Sequence, residues 1–171
     1  MTILKILLYP DSRLHTIAKP VTAVNEQLRT LIANMVETMY AAPGVGLSAT
    51  QVDVHKQVII IDTSVTHDQL KVFINPEIVE SEGISDCEEG CLSVPGVFEK
   101  VPRAARIKVR ALDRWGKSFA LEADGLLSVC IQHEMDHLKG RVFVEYLSRL
   151  KQTRILNKLK KMQRKVIEPI S

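Results

Sequence analysis

The sequence lacks long hydrophobic runs, has few cysteines, and contains no internal repeat or low-complexity segment. Its longest apolar stretches, such as Val58–Ile61, are far shorter than the roughly 20 residues that span a bilayer. The 3 cysteines do not suggest a disulfide framework, so we expect a cytoplasmic protein in a reducing compartment. The N-terminal segment shows no small-residue cleavage site, and we interpret it as mature and untargeted.

The overall composition is that of an ordinary globular protein, with 46% hydrophobic and 25% charged residues over 171 positions. We expect a single domain over 1–171. The net charge of +3 is unevenly distributed, because positions 149–171 hold 8 of the 23 basic residues and 1 of the 20 acidic ones. That segment is therefore +7, and the remaining positions, with 15 basic and 19 acidic residues, are −4. We expect a basic C-terminal helix over 149–171 as an appendage on a mildly acidic body.

Apolar periodicity predicts helices at both ends of a run of strands. Helical spacing covers positions 25–40 and 150–167, and Asp124 and Gly140 are a suitable N-cap and stop for a third helix. "QVIIIDT" and "KVFINP" are typical of buried strands, "ARIKVRALD" and "SFALEA" predict a hairpin, and "AAPGVGLSATQ" predicts a loop. Strands that follow one another, flanked by helices, favour an α+β fold.

The segment "QHEMDHLKG" predicts a metal site on the third of these helices. His133 and His137 are four residues apart, so they lie on one helical face and can bind the same ion. Glu134 lies beside them, where it can take a proton from water whose pKa a bound metal lowers from about 15.7 to about 7. The apolar Leu126 and Val129 share the helical stripe of the two histidines. A solvated face would not have this pattern, so we expect a pocket cut into the core.

Spacing alone leaves the third protein ligand open. A catalytic metal site normally has three protein ligands and one open position. Phe143 occupies the position of the third histidine in the metzincin pattern H-E-x-x-H-x-x-G-x-x-H, and it cannot bind a metal. Glu145 lies beyond the predicted helix stop, and the other histidines have no supporting motif. Cys91 is favoured over Cys87, because the preceding Gly90 permits a close backbone approach.

Three segments together resemble the motifs of bacterial peptide deformylases, in order and in spacing. They are "GVGLSATQ" (44–51), "EEGCLSVP" (88–95) and "QHEMDHLKG" (132–140). The resemblance implies an α+β fold in which antiparallel sheets pack around a central metal-bearing helix, with a C-terminal helix. It also implies that the chain removes the N-formyl group from the formylmethionine of nascent peptides and releases formate.

The resemblance assigns roles to individual residues by matching motif positions. Cys91, His133 and His137 would bind a divalent metal, usually iron(II), with zinc, nickel or cobalt able to substitute. Glu134 would be the general acid and base. Gln51 and the backbone N–H of Leu92 would stabilise the oxyanion. Substrate contacts would come from five further positions, namely Val45, Gly46, Leu126, Val129 and Cys130.

Two features outside the motifs carry further expectations. Phe98 stands where some members of the family have an arginine, so we expect apolar packing against the substrate there. In the resembled enzymes the basic C-terminal helix docks on the ribosome near the exit tunnel, and a charge of +7 suits rRNA phosphates. The alternatives to a deformylase are another HExxH metallopeptidase and a basic ribosome- or RNA-binding protein with a structural metal.

Overall fold

The computed structural model describes residues 1–167, so positions 168–171 of the predicted C-terminal helix lie outside the described residues. Seven strands and three α-helices follow one another within residues 1–167. The helices are α1 (Glu26–Ala41), α2 (Gly125–Leu138) and α3 (Arg149–Ile167). The strands are β1 (Gly46–Ser48), β2 (Val58–Ile61), β3 (Lys71–Glu82), β4 (Glu88–Cys91), β5 (Val94–Lys100), β6 (Arg106–Leu112) and β7 (Ser118–Asp124).

The strands form two antiparallel units. A five-stranded sheet has the order β1-β2-β3-β6-β7, and β4 and β5 form a separate hairpin. The predicted hairpin of β6 and β7 is confirmed, with Arg106 opposite Asp124 and Leu112 opposite Ser118. Strand β3 continues past Pro76, where the prediction ended, because a register shift between Ile74 and Glu77 places the proline in a bulge.

Helix α2 lies at the centre of the molecule. Asp124 is its N-cap, as predicted, although the Asp124 side chain makes no capping hydrogen bond. One face of α2 contributes Ile131, Met135 and Leu138 to the apolar core on the five-stranded sheet. Its other face carries the buried polar side chains described below. The α+β prediction, with antiparallel sheets around a central helix and a C-terminal helix, is confirmed.

The segment 41–51, predicted as a loop, contains more structure than its composition indicates. Gly46–Ser48 forms β1, which pairs with β2, and Ala49–Val52 forms a short 3-10 helix. The loop prediction is therefore wrong for these positions. A three-residue strand is too short to show an alternating pattern, and it is specified by its pairing with Ile59, Ile60 and Ile61.

Helix α3 packs against β5 with the first half of its apolar stripe. Ile155 and Leu159 are buried in a cluster with the N-terminal segment and β5. Met162 and Val166, predicted on the same stripe, are exposed. No described helix is long and apolar enough to cross a membrane.

Candidate metal centre

Three side chains from β4 and α2 converge in the interior of the protein. Cys91 Sγ lies 3.4 Å from His137 Nε2, which lies 3.2 Å from His133 Nε2. Their candidate ligand atoms all lie within 4.8 Å of one another. Ligand atoms at about 2.0–2.3 Å from one tetrahedral ion are separated by roughly 3.3–3.7 Å. The cluster therefore has the dimensions of a metal site, and its thiol and two imidazoles suit iron(II), zinc, nickel or cobalt.

Local sequence explains why these side chains meet. His133 and His137 are one helical turn apart on α2. On β4, alternation directs the side chains of Glu89 and Cys91 to one face of the strand. Gly90 lies between them, and a Cβ atom there would approach the Phe98 ring to 2.7 Å. The glycine thus lets the ring cover the outer face of the hairpin, where Phe98 is 68% exposed.

The two histidines have different surroundings. His133 Nδ1 lies 2.8 Å from Glu89 Oε1, which leaves Nε2 facing the cluster. Burial lowers the pKa of His133, but Cys91 and the hydrogen bond to Glu89 outweigh it and raise the pKa well above its ordinary value. Burial, followed by the charges of His133 and Arg103, lowers the pKa of His137 well below its ordinary value. His137 Nδ1 is buried without a hydrogen-bond partner among residues 1–167.

A buried ionic network lies on the Nδ1 side of His133. Arg103 donates from Nε and Nη2 to the two oxygens of Glu89, at 3.0 and 2.7 Å, and from Nη1 to Asp136 Oδ2, at 2.6 Å. Tyr146 donates its hydroxyl to the same Asp136 oxygen at 2.8 Å. Burial raises the pKa of Glu89, but hydrogen bonds from Arg103 and His133 lower it below its ordinary value. Glu89 is therefore an anion beside a candidate metal ligand.

Glu89, Arg103, Asp136 and Tyr146 were not predicted as functional residues from the sequence. Glu89 could have been found, because it lies two residues before Cys91 and therefore on the same face of a strand. Asp136 could have been suspected as an acid next to His137 on a largely apolar helix. Arg103 has no local motif, since its partners lie 14 and 33 residues away.

Glu134 is buried beside the cluster. Its Oε1 lies 4.0 Å from His133 Nε2, and its Oε2 has no hydrogen-bond partner within the described chain. Burial, together with the charge of Glu89, raises the pKa of Glu134 to about 7. A Cβ atom at Gly46 would lie 2.8 Å from Glu134 Oε1, so the glycine provides the space that this carboxyl group occupies. Glu134 can therefore exchange a proton near neutral pH.

Gln51 is held with its amide beside Cys91. Its Oε1 accepts hydrogen bonds from Ser48 N at 3.0 Å and Ser48 Oγ at 3.3 Å. Its Nε2 lies 3.0 Å from Ser93 Oγ and 3.5 Å from Cys91 Sγ. Leu92 directly follows Cys91 at the turn between β4 and β5.

The predicted substrate-contacting residues differ in their exposure. Val45 and Leu126 are 45% and 47% exposed, whereas Gly46 and Val129 are buried. Cys130 is half-buried against the sheet core, and burial raises the pKa of its thiol to about 12, so the thiol is neutral.

The less favoured ligand candidates lie in other environments. Glu145 pairs with His15 at 2.6 Å, and both side chains are partly exposed. Phe143, at the metzincin third-histidine position, is buried and packs its ring 5.8 Å from the ring of His133. Cys87 is half-buried and does not belong to the cluster of Cys91, His133 and His137.

Comparisons with known proteins agree over nearly the whole chain. The family model described as polypeptide deformylase matches residues 3–153. Peptide deformylase 2 of Nitrosomonas europaea is 62% identical over 167 residues, which cover 98% of this chain and 90% of the relative. The crystal structure of a peptide deformylase from Legionella pneumophila matches with a TM-score of 0.93 at 48% identity, covering 98% of this chain and 100% of that one. Peptide deformylase from Ehrlichia chaffeensis, in complex with actinonin, matches with a TM-score of 0.92 at 39% identity and 96% and 99% coverage.

Proposed function

Because this chain belongs to the polypeptide deformylase family, we propose that Cys91, His133 and His137 bind the divalent metal on which the reaction of that family depends. The chain is a hydrolase that removes the N-formyl group from the N-terminal formylmethionine of nascent polypeptides. The convergence of one thiol and two imidazoles in the interior is the observation that carries the ligand assignment.

The donor set fits the metals of this class of enzyme. A thiolate and two imidazoles leave one position open in a four-coordinate site, as a catalytic metal requires. When bound, such a metal makes water nucleophilic at neutral pH and polarises the substrate carbonyl oxygen. We propose iron(II) as the metal in the cell, with zinc, nickel or cobalt as functional substitutes.

Glu134 moves the proton during hydrolysis. The attacking water gives a proton to the Glu134 carboxylate while its oxygen forms a bond to the formyl carbon. The bond between that carbon and the peptide nitrogen then breaks, and Glu134 returns the proton to the departing nitrogen. The products are formate and a peptide with a free amino group. A carboxyl with a pKa of about 7 is suited to both transfers at neutral pH.

Gln51 and Leu92 stabilise the charge that develops on the carbonyl oxygen. The Gln51 amide is oriented by Ser48 and Ser93, so its Nε2 needs little reorganisation to donate beside Cys91. The backbone N–H of Leu92 supplies the second donor. Loss of one such donor typically lowers the rate by about 10²–10³.

The methionine side chain of the substrate follows a path along the stripe of α2 that carries the two histidines. Leu126, Val129 and Cys130 share the helical stripe of the two histidines, and Val45 and Gly46 border it from the adjacent segment. A long, unbranched apolar side chain suits such a path, and the neutral Cys130 thiol adds no charge to it.

Formate release from matched peptides tests the proposed function. We expect formyl-Met dipeptide to yield formate and a free amine, and the unformylated Met-dipeptide to remain intact. Actinonin, which is bound in the Ehrlichia chaffeensis relative, should compete with the formylated substrate. Cleavage of the unformylated dipeptide would indicate a metallopeptidase. Absence of any hydrolysis by metal-loaded protein would favour a binding protein with a structural metal.

We propose one catalytic domain over 1–171, acting in the cytoplasm, whose α3 contacts the ribosome. Lys160 and Lys161 lie on the exposed part of α3, and a basic helix is attracted to rRNA phosphates. Reversing both charges to Glu should reduce ribosome pelleting at low salt. The matched control reverses the exposed Lys117 and Lys139 outside α3. Equal pelleting of the two double variants would argue against this contact.

A further inference from the structure

We infer that Tyr146 is a positioning residue that holds the metal ligand His133 in its orientation through three intervening side chains. These side chains are Asp136, Arg103 and Glu89. The inference rests on the proposed function, because it takes His133 to be a ligand. It goes further by assigning a role to a partly exposed residue that touches neither the cluster nor the substrate path.

Tyr146 contacts the network in two ways. Its hydroxyl donates to Asp136 Oδ2 at 2.8 Å, and the same oxygen accepts from Arg103 Nη1 at 2.6 Å. Its ring also faces the guanidinium, with Arg103 Cζ 5.1 Å from the ring centroid. A cation over an aromatic face is attracted by the ring quadrupole. Tyr146 therefore restrains Arg103 through its ring and, by way of Asp136, through its hydroxyl.

Arg103 transmits this restraint to His133 through Glu89. The bidentate bonds at 3.0 and 2.7 Å fix the plane of the Glu89 carboxylate as well as its position. Glu89 Oε1 lies 2.8 Å from His133 Nδ1. A carboxylate on the far nitrogen of a metal-bound histidine fixes the tautomer and orientation of the ring. Movement of Arg103 would therefore change the direction of His133 Nε2.

The hydrogen bonds of the network explain why Tyr146 needs its hydroxyl. Glu89 and Asp136 share the single guanidinium of Arg103, and Asp136 Oδ2 accepts only one bond from it. The side chains of Arg103 and Glu89 are 5% and 4% exposed, so water has little access to them. A buried polar group that water cannot reach must be paired with protein donors. The Tyr146 hydroxyl supplies such a donor to Asp136.

Cobalt(II) binding to metal-free full-length protein tests the inference, with a chelator as competitor. Tyr146→Phe removes the hydroxyl and keeps the ring, and it should weaken Co²⁺ binding about threefold to tenfold. That loss is smaller than the 10–100-fold loss of metal affinity that is typical when a residue hydrogen-bonded directly to a metal ligand is replaced. Tyr146→Leu, which also removes the ring, should weaken binding more.

Tyr40→Phe is the matched control. Tyr40 lies on α1, outside the network, and its hydroxyl donates to the buried Asp62 at 2.6 Å. The substitution removes that hydroxyl. We expect a comparable change in unfolding midpoint for Tyr40→Phe and Tyr146→Phe, but unchanged Co²⁺ affinity for Tyr40→Phe. Wild-type affinity in Tyr146→Phe would overturn the inference, as would equal losses of affinity in both variants. Failure of the wild-type chain to bind Co²⁺ would instead overturn the metal assignment itself.

Discussion

Helices α2 and α3 both carry ionisable side chains, but they place them in opposite environments. On α2, His133, Glu134 and Asp136 are buried, and His133 and Asp136 have specific partners in the ionic network. On α3 the lysines and arginines are exposed, and the helix is held mainly by Ile155 and Leu159. Charge on α2 is therefore held in specific contacts inside the protein, whereas most of the charge on α3 faces solvent. Substitutions on the two helices should differ accordingly.

Replacing Glu134 should have the largest effect on turnover. Glu134→Gln keeps the size of the side chain but cannot exchange the proton, so deformylation should fall by about 10²–10⁴ while bound metal is retained. Formate release and elemental analysis on one preparation measure both properties. Glu145→Gln, in an exposed pair with His15, is the control and should keep both. Appreciable turnover in Glu134→Gln would remove Glu134 from the mechanism.

Replacing Arg103 should have the largest effect on stability. Arg103→Met leaves Glu89 and Asp136 buried without their cation, which should lower the free energy of unfolding by about 3–5 kcal/mol. Urea denaturation of the metal-free protein measures the loss. Arg110→Met breaks an exposed pair with Glu77 and should cost at most about 1 kcal/mol. Similar losses in the two variants would show that the buried network has no special contribution.

On α3 the apolar contacts should matter more than the charges. Leu159→Ala removes a buried side chain and should lower the free energy of unfolding by about 2–3 kcal/mol. Lys158→Met removes the bond from Lys158 Nζ to Gly96 O, at 2.7 Å, and should cost less than about 1 kcal/mol because Lys158 is exposed. Thermal or urea unfolding distinguishes the two. A larger loss for Lys158→Met would contradict the contrast between α2 and α3.

Features that depend on neighbouring residues could be predicted from the sequence, whereas contacts between distant segments could not. His133 and His137 were predicted to share a helical face from their spacing, and Asp124 was predicted as the N-cap from its position before the helix. Both signals are local in the sequence, and the structure agrees with both predictions. Strand β1 is too short for a pattern, and Arg103 meets its partners only after distant segments pack together. Gly46 was expected to approach the substrate, and the structure shows that it also makes space for Glu134. Such contacts depend on the assembled core rather than on neighbouring residues.

The metal assignment is tested most directly by the absorption spectrum of the cobalt(II)-loaded protein. In the wild-type chain we expect one Co²⁺ per protein, with a thiolate-to-cobalt charge-transfer band and the visible bands of a four-coordinate ion. Cys91→Ala should lose the charge-transfer band and bind Co²⁺ more weakly, whereas Cys87→Ala should keep both properties. An unchanged spectrum and unchanged Co²⁺ affinity in Cys91→Ala would contradict the assignment of Cys91, His133 and His137 as the metal ligands.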